Sequence, residues 1–361
     1  MKAISRWLLV WAVVFQVGDA LVSPAPGREQ PVKQRGMSWV GGDVVSEAQL
    51  RRLVDLGVDW IVQTPFGWQK SLDSPEVVLA TSGRVFWGET DEGLVTTARM
   101  ARRLGIRTML KPHIWLHGGS HGAWRGKIAM ANEEDWRRWF HSYGRFIMHY
   151  ARLAQESGME ALCIGTELHV AAREREQDWR ELIKRIRAVY HGKLLYAANW
   201  YREFEEVAFW DMLDFIGIQA YFPLCKVETP TVEQLKEGWR RHLPAIERVQ
   251  KKFDKPVIFT EIGYRSSPDA TIEPWTWPAR GGREASTAGL TTQANGYEAF
   301  FETFWHEPWF AGAYFWKWYP KVSRGYHFSP AGFTPQNKPA EKTIASWYLN
   351  GRSPKTPASE R

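Results

Sequence analysis

At 361 residues and 44% hydrophobic content, the chain suits one large barrel or two ordinary domains. Its net charge of +7 gathers in stretches such as 173–187 and 240–255, where basic residues interleave with Glu and Asp as on a solvated helix face. Without a zinc-finger, RNA-recognition or helix-turn-helix pattern this excludes dedicated nucleic-acid binding, and two cysteines, Cys163 and Cys225, exclude a disulfide-stapled fold and read as free thiols.

Residues 1–20 read as a secretory signal peptide. Lys2 and Arg6 precede an apolar run from Trp7 to Phe15, and Gly18-Asp19-Ala20 places small residues before a cleavage point. The run is short for a membrane span, which leaves an uncleaved anchor as the alternative; no later segment could span a membrane. The protein is therefore expected to be secreted or periplasmic. Residues 21–34 read as a flexible linker, 35–350 as one catalytic domain and 351–361 as a disordered tail.

Eight strand-like runs follow, most of them trailed by an amphipathic helical stretch. The first is 36–40, with a helix over 46–56 that Ser46 would cap and Gly57 would end. The second is 58–64; after a long loop, Thr90-Asp91-Glu92 opens a helix that ends near Gly105. The third is 106–113, followed by a helix over 133–155. The fourth is 161–167 with a helix over 177–190, and the fifth is 194–199. The sixth is 215–221 with a helix over 232–251. The seventh is 256–263 with a helix over 291–305, and the eighth is 311–318, closed by 340–347. Strand–helix alternation on this scale predicts an α/β fold, a single (β/α)8 TIM barrel. No Gly-rich phosphate fingerprint follows the first strand, which argues against a nucleotide site.

In such a barrel the chemistry sits at the C-terminal strand ends. Those ends carry His113 and Trp115, Glu167, Asn199, Tyr221, Glu261, and Trp316 and Trp318, where the strand interiors are aliphatic. A carboxylate closing a core strand has left water and needs a partner or a task. Two of them, Glu167 and Glu261, fit the fourth and seventh strands, and paired carboxylates at a barrel mouth are the machinery of glycoside hydrolysis. The 21 Trp residues exceed what a core needs and suggest stacking on flat sugar faces. Trp316 and Trp318 share a strand parity and would face one side. Trp275 and Trp277, with Trp68, Trp87 and Trp124, lie in long loops and are candidates for flanking sugars. His113, His117 and His121 recur every four residues, yet Gly118, Gly119 and Gly122 argue against a helix, so substrate hydrogen bonding by His113 is favoured over a metal site.

The segments Ile164-Gly165-Thr166-Glu167-Leu168, Phe259-Thr260-Glu261-Ile262-Gly263-Tyr264 and Lys111-Pro112-His113-Ile114-Trp115 resemble glycoside hydrolase family 113, in clan A of the retaining glycosidases. Phe328-Ser329-Pro330 through Asn337-Lys338-Pro339-Ala340-Glu341 is similar to that family's ending, and the resemblance covers about residues 36–350. It implies a β-mannanase acting on β-1,4-mannosidic bonds, with Glu167 as general acid/base and Glu261 as nucleophile. Tyr221 would then donate a hydrogen bond to Glu261, and Trp316 would form the platform beneath the reacting sugar. One departure stands out: most of the clan has Asn before the acid/base Glu, and Thr166 stands here. That leaves open which group holds the sugar 2-hydroxyl, with Asn199 a candidate. The expected partner is an oligo- or polysaccharide, met by a monomer that needs no cofactor and no metal. Two alternatives remain: a clan A hydrolase of another β-linked glycan, and a non-catalytic carbohydrate-binding barrel.

Overall fold

The computed structural model describes residues 32–79, 85–117, 124–277, 284–321 and 329–351. The signal segment, most of the linker, the tail beyond Gly351, His121 and Phe328 lie outside the described residues. In chain order the strands are β1 (Gln34–Trp39), β2 (Trp60–Gln63), β3 (Phe66–Gln69), β4 (Val77–Leu79), β5 (Arg107–Leu110), β6 (His113–Leu116), β7 (Ala161–Thr166), β8 (Lys193–Asn199), β9 (Phe215–Gln219), β10 (Val257–Ile262) and β11 (Phe310–Trp318). Eight of them close a barrel in the order β1-β11-β10-β9-β8-β7-β5-β2, with parallel pairing throughout. Helices α1 (Glu47–Asp55), α2 (Asp91–Arg103), α3 (Glu133–Ser157), α4 (His169–Glu174), α5 (Glu176–Arg187), α6 (Glu203–Glu206), α7 (Val232–Phe253), α8 (Thr287–Phe304) and α9 (Pro339–Asn350) intervene and follow. The fold is a single (β/α)8 barrel.

The strands read as near-continuous apolar runs because both of their faces are buried. Trp60, Val62, Met109, Ala161, Cys163, Leu195, Ala197, Ile258 and Tyr314 form the inner cluster. Their sequence neighbours Ile61, Leu110, Leu162, Ile164, Leu194, Tyr196 and Phe259 belong to the larger cluster shared with the helices. That period-2 alternation carries upward: Lys111, Asn199 and Gln219 continue the inward parity of Met109, Ala197 and Leu195, and Gly217.

Local signals hold where they rest on capping chemistry. The Gln49 side chain accepts from the Ser46 amide at 2.7 Å, and Gly57 follows α1 at φ +76°. Thr90 caps α2 by accepting from the Gly93 amide at 3.1 Å. Two strand expectations are corrected. β1 begins at Gln34, already buried, so the linker's last residue belongs to the barrel. The third strand is two pieces, because Pro112 offers no amide to the ladder. β5 ends at Leu110, and β6 leaves the barrel to pair in parallel with β3, which pairs antiparallel with β4. This small rim sheet carries His113. Both cysteines are free, with Cys163 buried inside the barrel.

Candidate active site

Glu261 is the penultimate residue of β10 and is 4% exposed. One carboxylate oxygen, Oε1, accepts from the Lys111 ammonium at 2.5 Å, and the other, Oε2, accepts from the Tyr221 hydroxyl at 2.7 Å. Lys111 is fully buried and reaches the Thr260 carbonyl at 3.3 Å and Gln219 Oε1 at 3.4 Å. Burial alone would raise the Glu261 carboxyl; the charge and hydrogen bond of Lys111, with the Tyr221 hydroxyl, outweigh it and hold the group below its ordinary value. Burial, then the Glu261 charge, pushes the Tyr221 phenol well above its ordinary range, so it stays a donor.

Glu167 follows β7 in a different setting. It is half-buried, and its partners are neutral: Asn199 Nδ2 donates to Oε1 at 2.6 Å and Trp124 Nε1 approaches Oε2 at 3.4 Å. Its φ of +51° is left-handed, a conformation that costs a non-glycine residue about 1–3 kcal/mol and persists only where surroundings enforce it. Those surroundings are a buried relay. The amide of Leu168 donates to the Tyr196 hydroxyl at 2.9 Å, Tyr196 donates to Glu203 Oε1 at 2.5 Å, and the Asn199 amide donates to Glu203 Oε2 at 2.6 Å. Burial pushes the Glu203 carboxyl up to about 8. Through this group the residues flanking Glu167 and carrying its Asn199 partner are tied together.

His113 stands beside the pair, buried, with Nε2 3.9 Å from Glu261 Oε1. Arg125 lies 2.9 Å from its Nδ1. Burial first, then the charges of Arg125 and Lys111, hold the imidazole well below its ordinary value, so it is neutral. Trp316 ends the inward-facing part of β11, its ring 5.9 Å from the Lys111 ammonium. The site therefore gathers Glu167, Glu261, His113, Asn199, Tyr221 and Trp316.

Trp318 is not among them. It is 1% exposed, packs in the outer core, and lies under the Arg52 guanidinium at 5.5 Å. The pairing explains why: Met37 faces Phe315 while Trp39 faces Trp318, so β11 carries one extra residue. An extra residue resets the parity that the sequence implied. Trp115 is 51% exposed on the rim sheet, with edge contacts to Phe66 and Trp68 at 5.8 and 6.5 Å. Trp275 stacks on Trp200 at 5.2 Å. Trp277 contacts Phe333 at 5.4 Å and lies 5.2 Å from the Lys317 ammonium, which burial pushes down to about 8. These three flank the centre and touch neither carboxylate. Glu89, in the helical turn just before α2, is partly buried beside Gly41 and pushed up to about 7 by burial.

Sequence reasoning missed Lys111, Gln219, Arg125 and Glu203. Lys111 had a signal, since it shares the inward parity of Met109 within an apolar run. Arg125 and Glu203 lie in loop and short-helix segments whose partners only the fold brings near. Among the described residues, no cluster of three His, Cys, Asp or Glu side chains could hold a metal, and no helix is long and apolar enough to cross a membrane.

A parallel barrel with carboxylates at two of its strand ends is the architecture of barrel glycosidases. Residues 35–348 match Glycoside Hydrolase Family 113, and the chain belongs to that family; it is a glycoside hydrolase. It is similar to the family 113 β-mannanase of Alicyclobacillus acidocaldarius, solved in complex with ManMIm, at 28% identity, 88% of this chain, 97% of that chain and a TM-score of 0.73. A family 113 β-1,4-mannanase is similar at 27% identity, covering 89% of this chain and 100% of that chain, also with a TM-score of 0.73. A family 5 mannosidase of Rhizomucor miehei, at 12% identity, 89% and 94% coverage and a TM-score of 0.63, shares the fold. No curated protein matches the sequence.

Proposed function

We propose that the protein is an exported retaining mannanase that cleaves β-1,4-mannosidic bonds in mannan-type polysaccharides, acting as a monomer without a cofactor. The observation that carries the mechanism is the unequal environment of the two carboxylates. Glu261, clamped by Lys111 and Tyr221, is kept ionised as a nucleophile must be. Glu167, held by the Asn199 amide and the Trp124 indole, takes the acid/base role that the resemblance to family 113 implies. In the first step Glu167 gives its proton to the glycosidic oxygen, the C1–O bond breaks, and Glu261 bonds to C1. In the second, Glu167 takes a proton from water, the water oxygen bonds to C1, and Glu261 leaves as a carboxylate. Two inversions retain configuration, a route that needs carboxyls about 5–5.5 Å apart. Mannan as substrate is supported by the family 113 β-mannanases the chain resembles. Export is supported by the signal-like pattern of residues 1–20. Trp115 on one side and the Trp200–Trp275 stack on another offer flat surfaces for sugars beyond the cleaved bond.

The test is product release by residues 21–361 from β-mannan, glucomannan, cellulose, xylan and mixed-linkage β-glucan, beside Glu261→Gln. Oligosaccharides from mannan, absent with the variant, are expected. Activity confined to another glycan would overturn the substrate and keep the chemistry; a folded protein silent on every substrate would favour a binding barrel.

A further inference from the structure

The 2-hydroxyl of the reacting sugar has no evident holder in this site. Thr166, before the acid/base position, is buried, and Asn199 spends one of its two amide hydrogens on Glu167. His113 offers a second donor. A guanidinium can only donate, so its 2.9 Å contact requires a bare lone pair on His113 Nδ1. A neutral imidazole then carries its proton on Nε2. That atom is fully buried and has no hydrogen-bond partner among the described residues, 3.9 Å from Glu261 Oε1 and too far to bond it. A buried donor left unmade costs about 1–3 kcal/mol, so its persistence points to a ligand atom. One oxygen making hydrogen bonds of about 2.8 Å to both atoms would span the 3.9 Å between them once substrate displaces what covers Nε2.

We infer that Arg125 is a positioning residue that fixes His113 as the Nε2–H tautomer, so that His113 donates to the sugar 2-hydroxyl while that hydroxyl donates to Glu261 Oε1. This rests on the retaining hydrolase reading above. When Oε2 attacks C1, Oε1 faces the adjacent ring carbon, whose hydroxyl makes the hydrogen bonds that tighten in the transition state. A hydroxyl has one hydrogen. With the other tautomer, Nε2 would compete with Glu261 for that hydrogen, and the bridge would break. The lock thus sets the direction of a hydrogen-bond chain running Arg125, His113, hydroxyl, Glu261. The same segment serves the acid: Trp124, next to Arg125, reaches Glu167, its ring lying where a Cβ on Gly126 would clash.

Two readouts test this. In 15N-histidine NMR of the wild-type protein at neutral pH, with His113 assigned by its loss in His113→Gln, Nε2 is expected protonated and Nδ1 bare. Arg125→Met is expected to show Nδ1 protonation, and Arg125→Lys to keep the wild-type pattern. A protonated Nδ1 in the wild type, or no change in Arg125→Met, overturns the lock. These spectra need no turnover, so they stand apart from the substrate assignment. In kinetics, aryl β-glycosides with and without a 2-hydroxyl on the reacting ring are compared. Arg125→Met is expected to cost about 10- to 100-fold in kcat/KM on the 2-hydroxy substrate and about twofold or less on the 2-deoxy one. Equal losses on both would leave Arg125 a merely structural residue.

Discussion

Glu167 and Glu261 are the same side chain at equivalent places in one barrel, and their surroundings differ in every respect that matters to a proton. Glu261 is buried, touches an ammonium and a phenol, and is the penultimate residue of an inner strand. Glu167 is half-open, touches only neutral N–H groups, and sits on a left-handed backbone braced by Glu203. Burial by itself would raise the Glu261 carboxyl; the Lys111 ammonium beside it outweighs that and holds the group below its ordinary value. On the proposed mechanism, the division of labour between the two carboxylates follows from what each one touches.

The comparison is broken most directly by removing the nucleophile. Glu261→Ala is expected to lose about four or more orders of magnitude in kcat, with partial recovery in azide and an α-glycosyl azide product identified by NMR. A β-glycosyl azide would assign the attack elsewhere. Glu167→Ala is expected to lose about 10²–10⁴-fold on oligosaccharides while aryl glycosides with good leaving groups keep a near-wild-type glycosylation burst. Equal damage to both would remove Glu167 as the acid.

Lys111→Met sharpens the comparison by erasing its cause. Glu261, no longer held down, titrates at higher pH, so the acidic limb of the kcat/KM profile is expected to move toward neutrality, with about a hundredfold loss below it. Stability has a defined sign. A depressed carboxyl contributes stability above its unfolded value, lost as pH falls through the folded one. Without Lys111 the buried carboxylate is unpaired, a cost of about 3–5 kcal/mol. It is relieved when acid protonates Glu261, so the Tm deficit should be larger at pH 8 than at pH 5. The smallest effects are expected at the flanks. Trp115→Ala and Trp275→Ala should raise KM on polymer about three- to tenfold and leave short aryl glycosides unchanged, as loss of one aromatic contact predicts.

The eight barrel strands were legible because each is apolar on both faces and bounded by turn or helix signals, and their ends lie within a few residues of where the sequence put them. Glu167, Glu261, Tyr221 and Asn199 were legible for the same reason: a polar group ending an apolar run is conspicuous. The rim sheet was not. β3 and β6 are four residues each, and read alone they pass for loop. Trp318 misled because parity fails silently where β11 gains a residue. Arg125 and Glu203 act through contacts spanning loops, and no local pattern announces a tertiary meeting.

Pro112 separates two basic neighbours of Glu261 that are only two positions apart. Lys111 rides on the barrel wall, whereas His113 rides on the rim sheet with β3 and β4. The cation that holds Glu261 charged and the imidazole beside it therefore belong to two different sheets. On the proposed mechanism, substitutions in the rim sheet would act on sugar recognition while leaving the Lys111–Glu261 pair on the barrel wall in place.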